Sequence, residues 1–251
     1  MTAVLNDDRD GRNARWDDHR EQRRRHIVDA AIALVERLPI GAELTLQDVA
    51  DSSGLVRTVV QRHFGGRIGL VRAVQADVVS QAFAQISAAA ENLTTYRALS
   101  EDLVAATVSW VGGHPKLHVL IERELGDGEP SELSRAITEF AEQLTALNTL
   151  IASGFGLILD QRQIAETRLL YIGLIGQVRA TTSHWVLHDQ DLVSAEAVTS
   201  LLSNWMLKQT LDLAARYGLE IDAEEPFAGL VHTWLSRAPV PDLAGRESLS
   251  H

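Results

Sequence analysis

Residues 44–64, LTLQDVADSSGLVRTVVQRHF, contain two short helical patterns on either side of a glycine, Gly54. Thr45 and Asp48 have the spacing of a capping box, which predicts that a helix begins just after Thr45. Gly54 interrupts that helix, and a second helix is predicted over residues 57–64. Two short helices joined by a tight turn that contains glycine are typical of a helix-turn-helix. Similar hairpins also occur in ordinary helical cores, so the spacing alone leaves both interpretations open.

The second of these helices carries a polar face that could read DNA. Arg57, Thr58, Gln61 and Arg62 lie on that face, while Val60 and its neighbours at helical spacing point the other way. Arginine and glutamine side chains can form paired hydrogen bonds with the edges of bases in the major groove. The tight turn would tilt this helix outward, as in helix-turn-helix proteins that insert their second helix into the groove.

The charge is distributed in a way that fits a small DNA-facing module on an acidic body. The chain of 251 residues has a net charge of −11. Residues 19–72 nevertheless carry 9 basic and 6 acidic side chains, whereas residues 73–251 carry 11 basic and 23 acidic ones. DNA would be attracted to the first region and repelled by the second. A merely soluble acidic protein remains the alternative.

Composition excludes several classes of protein. With 45% hydrophobic residues and no apolar run long enough for a membrane span, the sequence predicts a globular protein without a membrane partner. The absence of cysteine excludes disulfides, thiolate catalysis and cysteine-ligated metals. The charged N-terminus does not look like a signal peptide, so we expect a cytoplasmic protein. No phosphate-binding loop or other cofactor motif occurs, and we expect no cofactor.

The remaining pattern is helical, which predicts an all-α protein. Residues 1–18 are polar and without periodicity, and we expect a disordered N-terminal arm there. A first helix ends at Pro39, and a long amphipathic fourth helix is predicted over residues 67–92. Further helical segments are predicted at 95–111, 115–125, 131–156, 162–188, 194–217 and 225–236.

Residues 22–82 resemble the DNA-binding domain of the tetracycline-repressor (TetR) family. The resemblance lies in RRRHIVDAAIALVERL, in the DVA of the second helix, in Gly54 and Arg57, and in the HF at residues 63–64. It implies an N-terminal DNA-binding domain at 19–82, with the helix-turn-helix at about 45–64. It also implies an all-helical ligand-binding and dimerisation domain at 83–251, and hence a homodimer that binds double-stranded operator DNA.

The resemblance and the polar faces together select the candidate DNA-binding residues. These are Thr45, Arg57, Thr58, Gln61, Arg62, His63 and Arg67. Two positions depart from the family pattern: Val56 stands where a serine usually caps the third helix, and Gln61 where a tyrosine usually contacts phosphate. We expect Val56 to weaken the helix start by about 1 kcal/mol, and Gln61 to change which bases are read.

The family comparison implies a repressor that a small, largely apolar ligand releases from a pseudo-palindromic operator. Candidate ligand-binding residues are Trp110, Phe140, Tyr171, Gln177 and His184. A ligand packed between the fourth helix and the segments that contain Trp110, Phe140 and Tyr171 could spread the two DNA-reading helices of a dimer. Dimerisation is expected through the helices at 162–188 and 194–217, where Gly173 and Gly176 would permit close approach.

Two other hypotheses compete with this one. A TetR-like protein that has lost specific DNA recognition could serve as a small-molecule or protein-binding module, and Val56 and Gln61 motivate that alternative. A metal-dependent enzyme would rest on His184 and His188, which lie four residues apart on a predicted helix. Histidines near a helix C-terminus are more simply explained by the helix dipole. We therefore expect no metal site and no enzyme.

Overall fold

The computed structural model describes residues 7–89, 94–154 and 156–226, with side chains from residue 19 onward. These residues form nine α-helices and no strand, so the prediction of an all-α fold is confirmed. The helices are α1 (Asp7–Val35), α2 (Leu46–Ser53), α3 (Arg57–Phe64), α4 (Arg67–Ala89), α5 (Tyr96–Gly113), α6 (Pro115–Glu122), α7 (Glu132–Gly154), α8 (Gln161–His184) and α9 (Ala195–Arg216). A turn of π-helix, Trp185–Asp189, follows α8.

The N-terminal part of the described chain differs from the sequence-based expectation. Helix α1 begins at Asp7, inside the arm 1–18 that was expected to be disordered. No proline occurs before Pro39, so nothing in the sequence stops the helix from continuing upstream of its apolar face. Residues 1–6 lie outside the described residues, as does the expected helix at 225–236 from residue 227 onward.

The first three helices form a compact head whose boundaries follow the predicted capping and glycine signals. The Thr45 hydroxyl oxygen accepts a hydrogen bond from the Asp48 amide at 3.1 Å, and the same hydroxyl donates to the Asp48 carboxylate at 2.6 Å. Gly54 ends α2 with φ +68°, a left-handed conformation that glycine adopts without strain. Ile27 of α1 and Val60 of α3 are fully buried, and α2 is in contact with both α1 and α3.

Contacts between residues divide the chain into two compact units. Neither unit begins or ends at residue 83, the expected domain boundary. The first unit comprises residues up to 85, residues 109–136 and residues 186–188. The second comprises 86–108, 137–185 and the residues from 189 onward. The head therefore shares a unit with α6, a relation between distant segments that periodicity along the chain does not reveal.

Within the first unit, α6 is bound to the head and to α4 by hydrogen bonds. Lys116 donates to the Glu36 carbonyl at 2.7 Å, and Arg123 donates to the Gly41 carbonyl at 2.6 Å, so both ends of α6 are attached to the connection between α1 and α2. From α4, the buried Gln75 amide donates to the Leu120 and Arg123 carbonyls, each at 2.8 Å. These bonds satisfy carbonyl groups that a helix C-terminus leaves unpaired.

The second unit is built around α7, α8 and α9. Tyr171 and Leu174 of α8 form a buried cluster with Ala141 of α7. Asp160 caps α8 in a reciprocal capping box with Gln163, which accounts for the start of that helix. Across 7–89, 94–154 and 156–226, no helix is both long and apolar enough to cross a membrane.

Candidate functional site

The polar face predicted for α3 is exposed to solvent. Arg57, Thr58, Gln61 and Arg62 are all exposed, whereas Val60 and Phe64 are buried against the head. The arrangement follows from the helical period of about 100° per residue, which places the four polar side chains within an arc of about 140° and leaves Val60 and Phe64 outside it. Four side chains capable of hydrogen bonding to DNA therefore stand on one side of a helix of only 8 residues.

A side-chain hydrogen bond is present at the end of α3 but not at its N-cap. Val56 occupies the N-cap position and supplies no side-chain hydrogen bond to the first turn. At the other end, the Gln61 side-chain amide donates to the Gly65 carbonyl at 3.3 Å. To read a base, Gln61 must exchange this long and exposed bond for one to DNA, which costs little because water can replace it.

Two of the expected phosphate contacts, Thr45 and Arg67, also have structural roles. The hydroxyl of Thr45 caps α2, as described above. Arg67 donates from Nε to the Leu44 carbonyl at 3.1 Å, and its Nη2 lies 3.2 Å from the Glu43 carboxylate. Substitution of Arg67 would therefore disturb the head as well as any phosphate contact, so Arg57 and Gln61 are better sites for a test.

His63 lies among arginines that come from two helices. Its pKa is lowered by partial burial and then by the positive charges of Arg20, Arg62, Arg23 and Arg24. Arg24 also lies over the Phe64 ring, 4.7 Å from its centroid, and this contact fixes α1 against the end of α3. Arg20 and Arg23 were not among the residues predicted to bind DNA, although they belong to a basic run, REQRRRH at residues 20–26.

The helix-turn-helix is held firmly against α1. The His26 ring lies 3.0 Å from the Ser53 carbonyl, and Arg37 donates to the Ser52 hydroxyl at 3.2 Å. These bonds fix the turn between α2 and α3, so the exposed face of α3 has a defined orientation relative to the arginines of α1. A preset arrangement lowers the conformational cost of binding a partner.

The five candidate ligand residues are divided between the two units. Trp110 belongs to the first unit, where it is buried and its ring centroid lies 5.7 Å from that of His114. In the second unit, Tyr171 is buried, Phe140 is half-buried, and Gln177 accepts a hydrogen bond from Gln209 at 3.0 Å. His184 is exposed and lies 3.4 Å from the Asp189 carboxylate.

Tyr171 is the candidate that lines a cavity within the second unit. The cavity is bounded by α7, α8 and α9 and by residues that follow α9. Phe140, Gln177 and His184 are not among its lining residues. In the part of the chain that the structure describes, no three His, Asp or Glu side chains converge in a way that could hold a metal ion.

Comparison with known proteins finds relatives described as transcriptional regulators. No family model matches the chain. Two uncharacterised HTH-type transcriptional regulators from strains of Mycobacterium tuberculosis are 28% identical over 112 residues, which is 43% of this chain and 45% of theirs. The match thus spans less than half the length of these relatives.

Solved structures share the fold over most of the chain. A TetR-family regulator from Streptomyces coelicolor has a TM-score of 0.57 and 16% identity, covering 87% of this chain and 90% of that one. A TetR-like regulator from Rhodococcus has a TM-score of 0.52 and 17% identity, covering 77% and 96%. FadR from Bacillus subtilis, solved in complex with stearoyl-CoA, has a TM-score of 0.54 and 16% identity, covering 73% and 95%. The chain has the fold of TetR-family transcriptional regulators, as the sequence resemblance predicts.

Proposed function

We propose that the protein is a dimeric, ligand-responsive transcriptional regulator, most simply a repressor, that binds a pseudo-palindromic operator through α3. The observation that carries this proposal is the exposed face of α3, with Arg57, Thr58, Gln61 and Arg62 held beside the arginines of α1. Base-reading side chains and phosphate-attracting cations thus occur together on the head, the combination that specific DNA binding requires.

A second copy of the chain is the partner proposed for the face of α8 and α9. Leu169, Ile172, Gly173 and Gly176 follow one another at helical spacing on α8 and are exposed. On α9, Trp205 is also exposed. The two glycines would let another helix approach closely, because nothing lies within 4 Å of where their Cβ atoms would be. A two-fold dimer would bury this apolar face and present two heads to successive major grooves.

The release of the operator by a small molecule is also part of the proposal. Support comes from the fold, since a structure with the same fold holds stearoyl-CoA, and from the cavity within the second unit. Thermodynamic linkage requires that a ligand that lowers DNA affinity be bound less tightly when DNA is present, by the same factor.

Binding of selected DNA tests the proposal. Duplexes would be selected by the unaltered protein from a random-sequence pool, and affinities then measured for Arg57→Ala, Gln61→Ala and the control Arg135→Ala on α7. We expect Arg57→Ala to weaken binding by about 1–3 kcal/mol and Gln61→Ala to change the preferred bases. Arg135, which pairs with Glu132, should tolerate substitution.

A second function, a ligand- or protein-binding module that no longer reads DNA, is favoured only by the uncapped start of α3 at Val56. If the pool yields no enriched sequence, or if both substitutions in α3 leave selection and affinity unchanged, the regulator proposal fails and this alternative stands.

A further inference from the structure

The cavity within the second unit is distinguished by the side chains that surround it. The chain contains 3 tyrosines, and all of them, Tyr96, Tyr171 and Tyr217, line this cavity. The other lining residues include aliphatic side chains from each surrounding segment, such as Ile151 and Leu213. None of the described residues that line it carries a charge. The cavity therefore offers hydroxyl groups within an apolar wall.

Burial further favours the neutral form of two of these hydroxyl groups. Burial raises the pKa of Tyr96 and of Tyr171 well above the ordinary value for tyrosine. The Tyr96 hydroxyl donates to the Asn148 side chain at 3.3 Å, and the Tyr171 hydroxyl is hydrogen-bonded to Thr210. A hydroxyl group both donates and accepts hydrogen bonds, so this cluster can accommodate a neutral hydroxyl or carbonyl group by exchanging partners.

An anionic group would be disfavoured in the same place. A buried carboxylate or phosphate requires a cationic or multiply donating partner, and its transfer from water without one is costly. The charges beside Tyr217 are already paired: the Glu166 carboxylate accepts hydrogen bonds from the Tyr217 hydroxyl at 2.8 Å and from Arg162 at 2.9 Å. An anion in the cavity would have to compete with Glu166 for this arginine. The electrostatics thus select against fatty acids and acyl thioesters of coenzyme A.

A short strap, residues 218–226, covers one side of the cavity. The chain reverses at Gly218, with φ +81°, and Leu219 and Ile221 then point into the cavity. The strap is attached to the start of α5 by a backbone hydrogen bond from Arg97 to Ala223 at 3.1 Å and by an ion pair between Arg97 and Glu224. Ala223 and Ile221 of the strap also pack in an apolar cluster with Tyr96 and Leu207. The polar attachments are few and exposed, so they contribute little, and the apolar contacts hold the strap closed.

The cavity measures about 30 Å³ with the strap closed, roughly the volume of one water molecule. Binding sites for small organic molecules usually measure about 300–1,000 Å³. A ligand therefore has to displace Leu219 and Ile221, and its apolar body would replace the contacts that Ile221 makes with Tyr96 and Leu207.

We propose that this cavity is the effector site and that its ligand is an uncharged molecule with an apolar body and a single hydroxyl or carbonyl group, admitted when the strap lifts. The regulatory role of this site rests on the proposed function. The site itself and its ligand class are inferred from the side chains of the second unit alone. Tyr171 and Thr210 bind the polar group, and the aliphatic wall and the strap enclose the rest.

The test compares two probes with the same chain and different head groups, 1-octanol and octanoate. Equilibrium binding to the full-length protein is measured by calorimetry in the absence of DNA. We expect saturable binding of 1-octanol, and binding of octanoate weaker by about tenfold or more, because the carboxylate would be buried without a cation. Octanoyl-CoA should also bind more weakly than 1-octanol.

Two variants tie the binding to the cavity. Ala214→Leu places extra volume at the wall and should weaken 1-octanol binding by about tenfold, whereas Ala146→Leu, at an exposed position of α7, should not. Tyr171→Phe removes only a hydroxyl group and should weaken 1-octanol binding while preserving the fold, which circular dichroism checks.

Three results would overturn this inference: absence of saturable 1-octanol binding, octanoate binding as tight as that of 1-octanol, or affinities unchanged in both cavity variants. Each is independent of DNA. A protein that binds 1-octanol in this way but selects no DNA would refute the proposed function alone. A protein that selects DNA but does not bind 1-octanol would refute only the effector site.

Discussion

His63 reports on the charge around the end of α3. Its pKa is lowered by burial and by the four arginines that surround it, which come from both α1 and α3. So many cations around one site repel one another, and the free protein gains from any anion that approaches. A phosphate group of DNA would be such an anion. The same groups that depress the pKa of His63 are therefore those expected to attract the operator.

The pKa of His63 should rise when this positive charge is removed or neutralised. We expect an increase in the Arg20→Ala, Arg23→Ala double variant, and another in the unaltered protein on binding a selected DNA duplex. Nuclear magnetic resonance titration of the His63 ring protons measures both. Arg135→Ala, which removes an arginine paired with Glu132 on α7, is the control and should leave the pKa of His63 unchanged. A pKa insensitive to both DNA and the double variant would contradict phosphate binding at this position.

At the scale of the element, Gln75 shows how a single polar side chain joins two helices. It is 2% exposed and lies on α4, and its amide group donates to two carbonyls at the end of α6. Replacement by an apolar side chain would remove this donor from the Arg123 carbonyl and leave the Leu120 carbonyl with only the Arg123 backbone amide, at 3.3 Å. Leaving a buried polar group unsatisfied costs about 1–3 kcal/mol.

Gln75→Leu should therefore lower the free energy of unfolding by about 1–3 kcal/mol in urea denaturation. Gln81→Leu is the matched control, because Gln81 lies on the same helix and is exposed. Its effect should stay within about 0.5 kcal/mol. Equal costs for the two substitutions would show that the bonds between α4 and α6 contribute nothing to stability.

Helix limits could be predicted from the sequence where the signal that sets them is local. The limits of α2 and α3 follow from Thr45, Gly54 and the glycines after Phe64, and each of these acts within one helical turn. The attachment of α6 to the head could not be predicted, because Lys116 and Glu36 lie 80 positions apart and neither residue type is unusual on a helix. The cavity was missed for the same reason, since Tyr96 and Tyr217 come from opposite ends of the second unit.

At the scale of the whole molecule, specific binding depends on two heads acting together. One α3 helix offers four exposed candidate side chains, too few to single out a site within a genome, since each mismatched base pair costs only about 1–3 kcal/mol. A two-fold dimer doubles the contacts and adds a requirement on the spacing of half-sites, about one helical turn of DNA. The apolar face of α8 and α9 is therefore as necessary to the proposed function as α3 itself.

Leu169→Glu should convert the protein to single chains by placing a charge at the centre of that face. Leu169 is 65% exposed, and Leu150 on α7, which is 64% exposed, provides the matched control Leu150→Glu. The control should retain the mass of two chains in analytical ultracentrifugation, since a new charge is costly only where it becomes buried. Loss of the dimer should weaken binding to a palindromic duplex by about 10²–10⁴-fold while leaving the weak affinity for one half-site. If the unaltered protein has the mass of one chain in dilute solution, or if Leu169→Glu remains a dimer, the two heads cannot be joined through this face.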